Sequence, residues 1–255
     1  MLSHEAGEYR HETTSRLVTI ACHVLAAVSF VWFLSDGFAR GWSHITTDFP
    51  NYYTAARLTA TDTSLRSFYD YPAFQREIGR AGVGLQLGGY IPQTPLTMAP
   101  LIPLSSWQPL NAKRAWLVLN LGFLSLTLWL LSRVTKFNVA QLWLAVFVGY
   151  GALRQNFLLG QYYVLLLAIL TVAVYSLLRS FDRSAGAALA IGVVLKLYGA
   201  PFLFFLAAKR RLRTALAIMA VLLLATVVCN CDVWLGRSDV LCDPGASPLA
   251  RGRNA

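Results

Sequence analysis

The sequence has little charge for its length, and this shortage excludes an ordinary soluble fold. Charged residues make up 13% of the 255 positions and hydrophobic residues 56%, with a mean hydropathy of +0.52. A soluble domain carries about twice that share of charged residues. Since helices satisfy their own backbone hydrogen bonds within a bilayer, the composition predicts an all-α integral membrane protein.

Acidic residues are the scarcer kind, which leaves a formal net charge of +10. In a soluble protein that excess would raise the question of nucleic acid. Here the basic residues fall mostly at the ends of apolar runs, as expected for cytoplasmic loops that face anionic lipid headgroups. The sequence therefore predicts membrane lipids as partners and no nucleic acid.

Cysteines and cofactor motifs are also few. Cys22 lies in an apolar run and is interpreted as a packing residue, while Cys229 and Cys231 form a C-x-C pair without a nearby histidine. A disulfide within the tail stays open. The sequence contains no phosphate-binding loop, dinucleotide fingerprint, zinc motif or nucleophile elbow. No cofactor or metal site is predicted, although a divalent metal with further acidic ligands near Asp48 is left open.

Apolar runs divide the chain into segments. They cover residues 17–34, 115–131, 139–153, 157–178, 185–208 and 214–228. We expect a multi-spanning helical bundle of about six or seven membrane segments over residues 17–228. Residues 1–16 form a cytoplasmic N-terminus, and residues 229–255 are predicted to be an atypical, disordered polar tail.

Basic clusters between the runs indicate the orientation. If each short basic loop is cytoplasmic, Arg154–Asn156 forms an outer turn and residues 185–208 start and finish inside. Lys196, Gly199 and Pro201 interrupt that last run, which favours a broken or re-entrant helix. The alternative is that the positive-inside rule fails for one loop.

The same topology places residues 35–114 outside the cell as a long loop rich in aromatic residues. A loop of this length is functional or disordered in most proteins, and its aromatic content favours order. We expect short helices on the membrane surface, one over residues 50–59 with Pro50 in its first turn. A second apolar piece, residues 94–104, is expected to dip into the interface.

Asp48 is the first candidate for chemistry, because it stands in the outer loop beside Phe49, Tyr52 and Tyr53. A carboxylate partly desolvated by aromatic rings is suited to act as a general base. The alternative is an aspartate that caps a helix or turn before Pro50.

Lys196 is the second candidate, because a lysine inside an apolar run is costly and binds phosphate well. In the alternative, Lys196 snorkels: its aliphatic side chain stays in the apolar region while its ammonium reaches the membrane interface. Arg154 could contact phosphate or cap a helix. Gln161 is a buried amide that needs a hydrogen-bond partner, and it could either join two helices or contact the substrate. Asp70, before a Tyr-Pro turn, has a structural role as its main alternative.

The order of these motifs resembles glycosyltransferase family 87. The resemblance is carried by DFPNYYTAA at residues 48–56 and Tyr69-Asp70, then YIPQTPL at residues 90–96 and GQYYVLL at residues 160–166. AGAALAIGVVLK at residues 185–196 completes it, followed by Pro201 and the basic Lys209 and Arg210. It extends over roughly residues 17–228, and the motifs are weak singly but moderately specific in this order.

The family comprises C-type membrane glycosyltransferases, including polyprenyl-phosphate-mannose-dependent alpha-mannosyltransferases. The resemblance implies inverting transfer of a hexose, mannose in particular, from a polyprenyl-phosphate sugar to a lipid or glycan acceptor on the outer face. It implies Asp48 as catalytic base, with Lys196 and, more weakly, Arg154 binding the donor phosphate. Substrate-pocket candidates are Tyr52, Tyr53, Asp70, Tyr90 and Gln161. We expect a multi-pass protein of the bacterial plasma membrane with a cytoplasmic N-terminus.

Members of the family are usually longer, with about twice as many crossings, so the resemblance also predicts a truncated member. Two alternatives to the transferase are therefore kept. One is an inactive fragment of such an enzyme. The other is a membrane transport component, for which a broken helix with an intramembrane lysine is also typical.

Overall fold

The computed structural model describes residues 2–61, 68–84, 87–90, 93–196 and 211–241, with side chains described from residue 16 to residue 227 within these ranges. Gly199, Pro201, Lys209 and Arg210, on which part of the sequence interpretation depends, lie outside them.

All regular structure in the described ranges is helical, which confirms the predicted all-α class for this part of the chain. The elements are α1 (Leu2–Trp32), a π-helical segment (Phe33–Phe38), α2 (Ala39–Ser43), α3 (Asp48–Ala60), α4 (Tyr71–Arg80), a 3-10 helix (Pro95–Leu104), α5 (Pro109–Val134), α6 (Val139–Val148), α7 (Tyr150–Leu159), α8 (Tyr163–Leu178), α9 (Asp182–Lys196) and α10 (Leu212–Leu241).

The first membrane helix is longer than its apolar run predicts. The span Arg16–Ser43 covers 28 residues through α1, the π-helical segment and α2, or about 42 Å at the rise of an α-helix. Its apolar side chains, such as Leu17, Val24 and Val31, are mostly exposed on the outside of the bundle, as lipid contact requires. The loop after the first helix therefore begins after Ser43 and not at residue 35.

Two helices are long and apolar enough to cross a membrane in the described chain, Arg16–Ser43 and Pro109–Val134. A third crossing is added if α6 and α7, bent by 82° at Gly149, count as one broken span. Residues 95–104, 163–178 and 212–227 form shorter apolar helices. The predicted count of six or seven crossings is therefore not confirmed.

The outer turn predicted at Arg154–Asn156 is wrong, because these residues lie inside α7. Their polar side chains do not need water, since the protein supplies their partners. Arg154 pairs with Asp36 at 2.6 Å, and the Asn156 amide nitrogen donates to Asn120 at 3.1 Å. The chain turns instead at Gly149 and at Gly160, and the positive φ of Gly160 requires the conformational freedom of glycine.

Helices α9 and α10 begin at the same end of the bundle. The side chains of Arg211 and Thr214 donate to the Asp182 carboxylate at 3.0 and 3.1 Å, at the first residue of α9. Lys196 ends α9 about 21 Å away.

The tail predicted from residue 229 is helical as far as Leu241, which corrects that part of the interpretation. The stretch from residue 212 to residue 241 contains no proline, and the first one after it is Pro244. Polar residues alone do not stop a helix that is already formed, whereas proline does. Residues 242–255 lie outside the described residues.

The loop between the first helix and α5 contains short helices, as expected, and α3 is packed into the protein. It begins at Asp48 with Pro50 in its first turn, and eight of its side chains are buried. It packs against the 3-10 helix and the start of α5. The aromatic residues of the loop therefore form one core with residues of α5, α8 and α9, and this core holds α3 in place.

Candidate functional site

The first residue of α3 carries the carboxylate of the site. Asp48 and Tyr52 are four residues apart and therefore lie on one face of this helix. Asp48 is the acidic residue in the first turn of α3.

Gln161 reaches this carboxylate from the turn between α7 and α8. Helix α7 ends at Gly160, whose φ of 68° is left-handed, and a Cβ there would meet the Phe49 Cβ at 3.0 Å. Glycine is needed at this position for both reasons. The turn places the Gln161 side-chain amide against Asp48, and its Nε2 donates a hydrogen bond to Oδ2. The partner that the sequence required for Gln161 is therefore Asp48.

Lys196 approaches the same carboxylate from the last residue of α9. Its ammonium lies 4.7 Å from the ring centroid of Tyr163 and 5.4 Å from that of Tyr52, within the range of a cation–π contact. The charge of Asp48 is near enough to interact electrostatically with it. Three segments that are distant in sequence thus bring Asp48, Gln161 and Lys196 together.

The 3-10 helix fixes the end of α9. The Thr94 hydroxyl donates to the carbonyl of Val194 at 2.5 Å, and the Thr97 hydroxyl donates to that of Leu195 at 2.6 Å. The last carbonyls of a helix have no partner within it. These two threonines supply donors there and hold the backbone that carries Lys196.

Aromatic rings form the floor of the site. Tyr162 is fully buried and packs edge-on against Tyr52 at 4.5 Å, with the Trp116 ring 4.8 Å away on the other side. Its hydroxyl has no hydrogen-bond partner within the described residues. Tyr52, a predicted pocket residue, therefore belongs to the wall of this site.

The other predicted pocket residues make structural contacts. The Tyr53 hydroxyl donates to the Trp107 carbonyl at 2.7 Å, and that of Tyr90 accepts from the Met98 amide at 3.0 Å. Burial raises the pKa of Tyr90, so it stays a neutral phenol. The Asp70 carboxylate caps α4 by accepting from the Ala73 amide at 3.2 Å, which agrees with its structural interpretation.

Arg154 belongs to a different group of charges. Its Nε lies 2.6 Å from Asp36 Oδ2, which also accepts from the Tyr150 hydroxyl at 2.7 Å. Arg40 pairs with the other oxygen of the same carboxylate at 3.1 Å. The charge of Arg154 is thus compensated by Asp36, and Arg154 is not part of the group around Asp48.

Lys113 was missed by sequence reasoning, although the structure gives it a central place. It is fully buried on α5, and its ammonium donates to the carbonyls of His44 at 2.5 Å and Leu158 at 2.7 Å. Trp116, one turn further on, donates to the Gly160 carbonyl at 3.0 Å. One face of α5 thereby holds both chain segments that lead to Asp48 and Gln161. The only sequence signal was a lysine three residues before a tryptophan in the first turns of a membrane helix.

Replacing Lys113 by methionine is expected to destabilise the fold by about 2–3 kcal/mol, because two buried carbonyls lose a charged donor. Thr46 still donates to Leu158, so part of the contact survives. Thermal unfolding in detergent should show a lower melting temperature for Lys113→Met. The matched variant Lys136→Met removes an exposed lysine and should unfold like the parent. Equal melting temperatures for Lys113→Met and the parent would contradict this role.

The group of Asp48, Gln161 and Lys196 combines a carboxylate with an ammonium at the edge of an aromatic floor. Such a pair can accept a proton on one side and stabilise a developing anion on the other. Within the described residues, no group of three or more histidine, cysteine, aspartate or glutamate side chains gathers where it could hold a metal ion.

Comparison with known proteins gives one match. The model of glycosyltransferase family 87 matches residues 90–240, which include Gln161 and Lys196. No curated protein and no solved structure matches the chain.

Proposed function

Because the chain belongs to glycosyltransferase family 87, we propose that it transfers a hexose, mannose in particular, from a polyprenyl-phosphate donor to a lipid or glycan acceptor. Membership of the family implies glycosyltransferase activity, with a sugar donor and an acceptor, and the apolar helices indicate a membrane protein. The lipid carrier is our proposal, argued from the site, and mannose is proposed because the family includes mannosyltransferases.

In the proposed reaction Asp48 acts as general base. It takes the proton from an acceptor hydroxyl while that oxygen attacks the anomeric carbon of the sugar. The bond from this carbon to the phosphate oxygen breaks, and polyprenyl phosphate leaves with the electron pair. The hydrogen bond from Gln161 orients the carboxylate, leaving its other oxygen available for the acceptor.

Lys196 stabilises the leaving group in this scheme. The phosphate gains negative charge as the bond to the sugar breaks, and a fixed cation nearby lowers the energy of that transition state. The rings of Tyr52 and Tyr163 hold the ammonium in place without neutralising it. A carboxylate partner in direct contact would neutralise it.

An apolar cavity beside Lys196 supports a lipid-linked donor. It has a volume of about 500 Å³ and is lined almost entirely by carbon, including Pro100, Trp116, Leu165, Leu195 and Leu224. Leu195 lines the cavity and precedes Lys196 at the end of α9, and we propose that a chain bound here has its phosphate end at the ammonium. Burial of apolar surface provides the driving force for binding a polyprenyl chain.

The observation that carries the proposal is this arrangement of base, cation and apolar cavity at one end of the bundle. A nucleotide sugar would require polar contacts for its base and ribose, whereas the cavity offers apolar surface. Four basic residues lie near the ends of α5 and α8 that are distant from Asp48, namely Arg133, Lys136, Arg179 and Arg183. That distribution favours a site on the outer face.

A transfer assay tests the proposal. Membranes from cells that express the full chain would receive polyprenyl phosphate carrying radiolabelled mannose or glucose, and lipid and glycan extracts would be examined for label. We expect transfer from the mannosyl donor above the level of membranes without the chain. A parallel reaction receives labelled GDP-mannose in membranes that lack polyprenyl-phosphate-mannose synthase. Transfer of label from GDP-mannose alone would contradict the proposal of a lipid-linked donor. Transfer from neither of the two mannosyl donors would contradict the proposal of mannosyl transfer.

A further inference from the structure

The end of the bundle opposite Asp48 contains a second cleft, between the first turns of α9 and α10. The two helices pack closely at Gly186, where a Cβ would lie 2.6 Å from the Thr214 carbonyl oxygen. The cleft beside this contact has a volume of about 930 Å³. Small side chains on both helices leave this space open, namely Ala187, Ala217 and Ala220.

Positive charge is concentrated at the mouth of the cleft. Arg183 and Arg213 line it and are exposed. The one carboxylate among its described lining residues, Asp182, is already occupied by Arg211 and Thr214. Two helix N-termini at the same place add partial positive charge.

The walls of the cleft change character with depth along the helices. Ser184 accompanies the arginines at the mouth, whereas Leu216, Ala220 and Val221 continue along α10 as an apolar surface. Leu216 is 70% exposed, so the wall faces the outside of the bundle, where lipid would surround it. A charged end next to an exposed apolar wall matches a molecule with an anionic head and an acyl chain.

We propose that this cleft binds an anionic phospholipid, with the phosphate between Arg183 and Arg213 and one acyl chain along the wall formed by Ala187, Ala220 and Val221. Basic pockets between membrane helices recognise such headgroups. Arg183, at the mouth of the cleft, precedes Lys196 by 13 residues, or about 20 Å along α9, so a phosphate bound there is not the donor phosphate at Lys196. Val221 lines both this cleft and the apolar cavity beside Lys196, and the two sites are distinguished by the positions of their charged groups.

Native mass spectrometry of the purified full chain tests this site with phosphatidylglycerol as the probe. We expect Arg183→Gln combined with Arg213→Gln to weaken its binding about 25-fold, or about fivefold for each arginine. Ala220→Trp should also weaken binding, although it changes no charge, because the indole fills the wall. Ala220 is exposed, so this variant tests the cleft without disturbing a core.

The matched control combines Arg133→Gln with Arg179→Gln. Both guanidiniums lie at the ends of apolar helices, α5 and α8, but stack on Trp129 and Tyr175 and do not line the cleft. This control should bind phosphatidylglycerol like the parent. Parent-like binding by both cleft variants would overturn the site, as would equal binding of phosphatidylcholine. Displacement of phosphatidylglycerol by an equal concentration of inorganic phosphate would show that the cleft binds the free anion, and it would contradict the proposal that the ligand is a phospholipid.

Discussion

Asp48→Asn is expected to lower the turnover of sugar transfer by roughly 10²- to 10⁴-fold, the range that general-base catalysis supplies. Asparagine has nearly the same shape and still accepts the hydrogen bond from Gln161 through its amide oxygen, so the site geometry is kept. What it lacks is the ability to take the acceptor proton. The loss should therefore appear in kcat, with a KM close to that of the parent.

Glu77→Gln is the matched control for this variant. It also converts a carboxylate to an amide in the outer loop, but Glu77 pairs with Arg80 at 2.6 Å and has no contact with Asp48. An exposed pair of this kind contributes little to stability, so activity and melting temperature should stay within experimental error of the parent. If Asp48→Asn transferred sugar at the rate of this control, the assignment of Asp48 as the general base would be wrong.

Much of the site could be predicted from the sequence because its chemistry depends on residues that are unusual where they stand. A lysine in an apolar run and an aspartate before a proline in an aromatic loop are conspicuous without a structure. Gln161 was recognised because a buried amide requires a partner. That Asp48 is this partner could not be predicted, since 113 residues separate the two.

Residues whose partners are backbone carbonyls could not be predicted. Lys113 follows polar residues at the start of a membrane helix, where a lysine is usually assigned to the water interface. Only the tertiary structure shows that the carbonyls of His44 and Leu158 meet there. Arg154 was misplaced for a related reason, because its partner Asp36 is 118 residues away. A polar side chain with a distant partner resembles a loop residue when the sequence is considered alone.

The boundaries of the helices were predicted less well than their existence. Hydropathy marks where a chain is apolar, whereas a helix ends only where its backbone is interrupted or capped. Asn138 caps α6 through the amide of Gln141 at 2.9 Å, and Gly160 ends α7. The first helix has no such signal at residue 35, so it continues through Asp36 and Arg40 to Ser43.

Lys196→Met is expected to lower kcat by roughly 10²- to 10³-fold, the effect of removing one preorganised electrostatic donor from a transition state. Methionine keeps the length and the apolar stem of lysine, so the packing against Tyr52 and Tyr163 is largely kept. Each cation–π contact contributes only about 0.5–1 kcal/mol at a partly exposed position. Removing the half-buried charge offsets part of that loss, so the melting temperature should change little.

The division of the effect between kcat and KM decides the role of Lys196. Charge builds up on the phosphate as the bond to the sugar breaks, so kcat should fall more than KM rises. Lys196→Arg, which retains the charge, should recover part of the rate, and Lys136→Met, on the loop after α5, should leave it unchanged. A rise in KM at constant kcat would mean that Lys196 only anchors the donor. It would then have no part in the departure of polyprenyl phosphate, and the stabilising cation would have to be another residue.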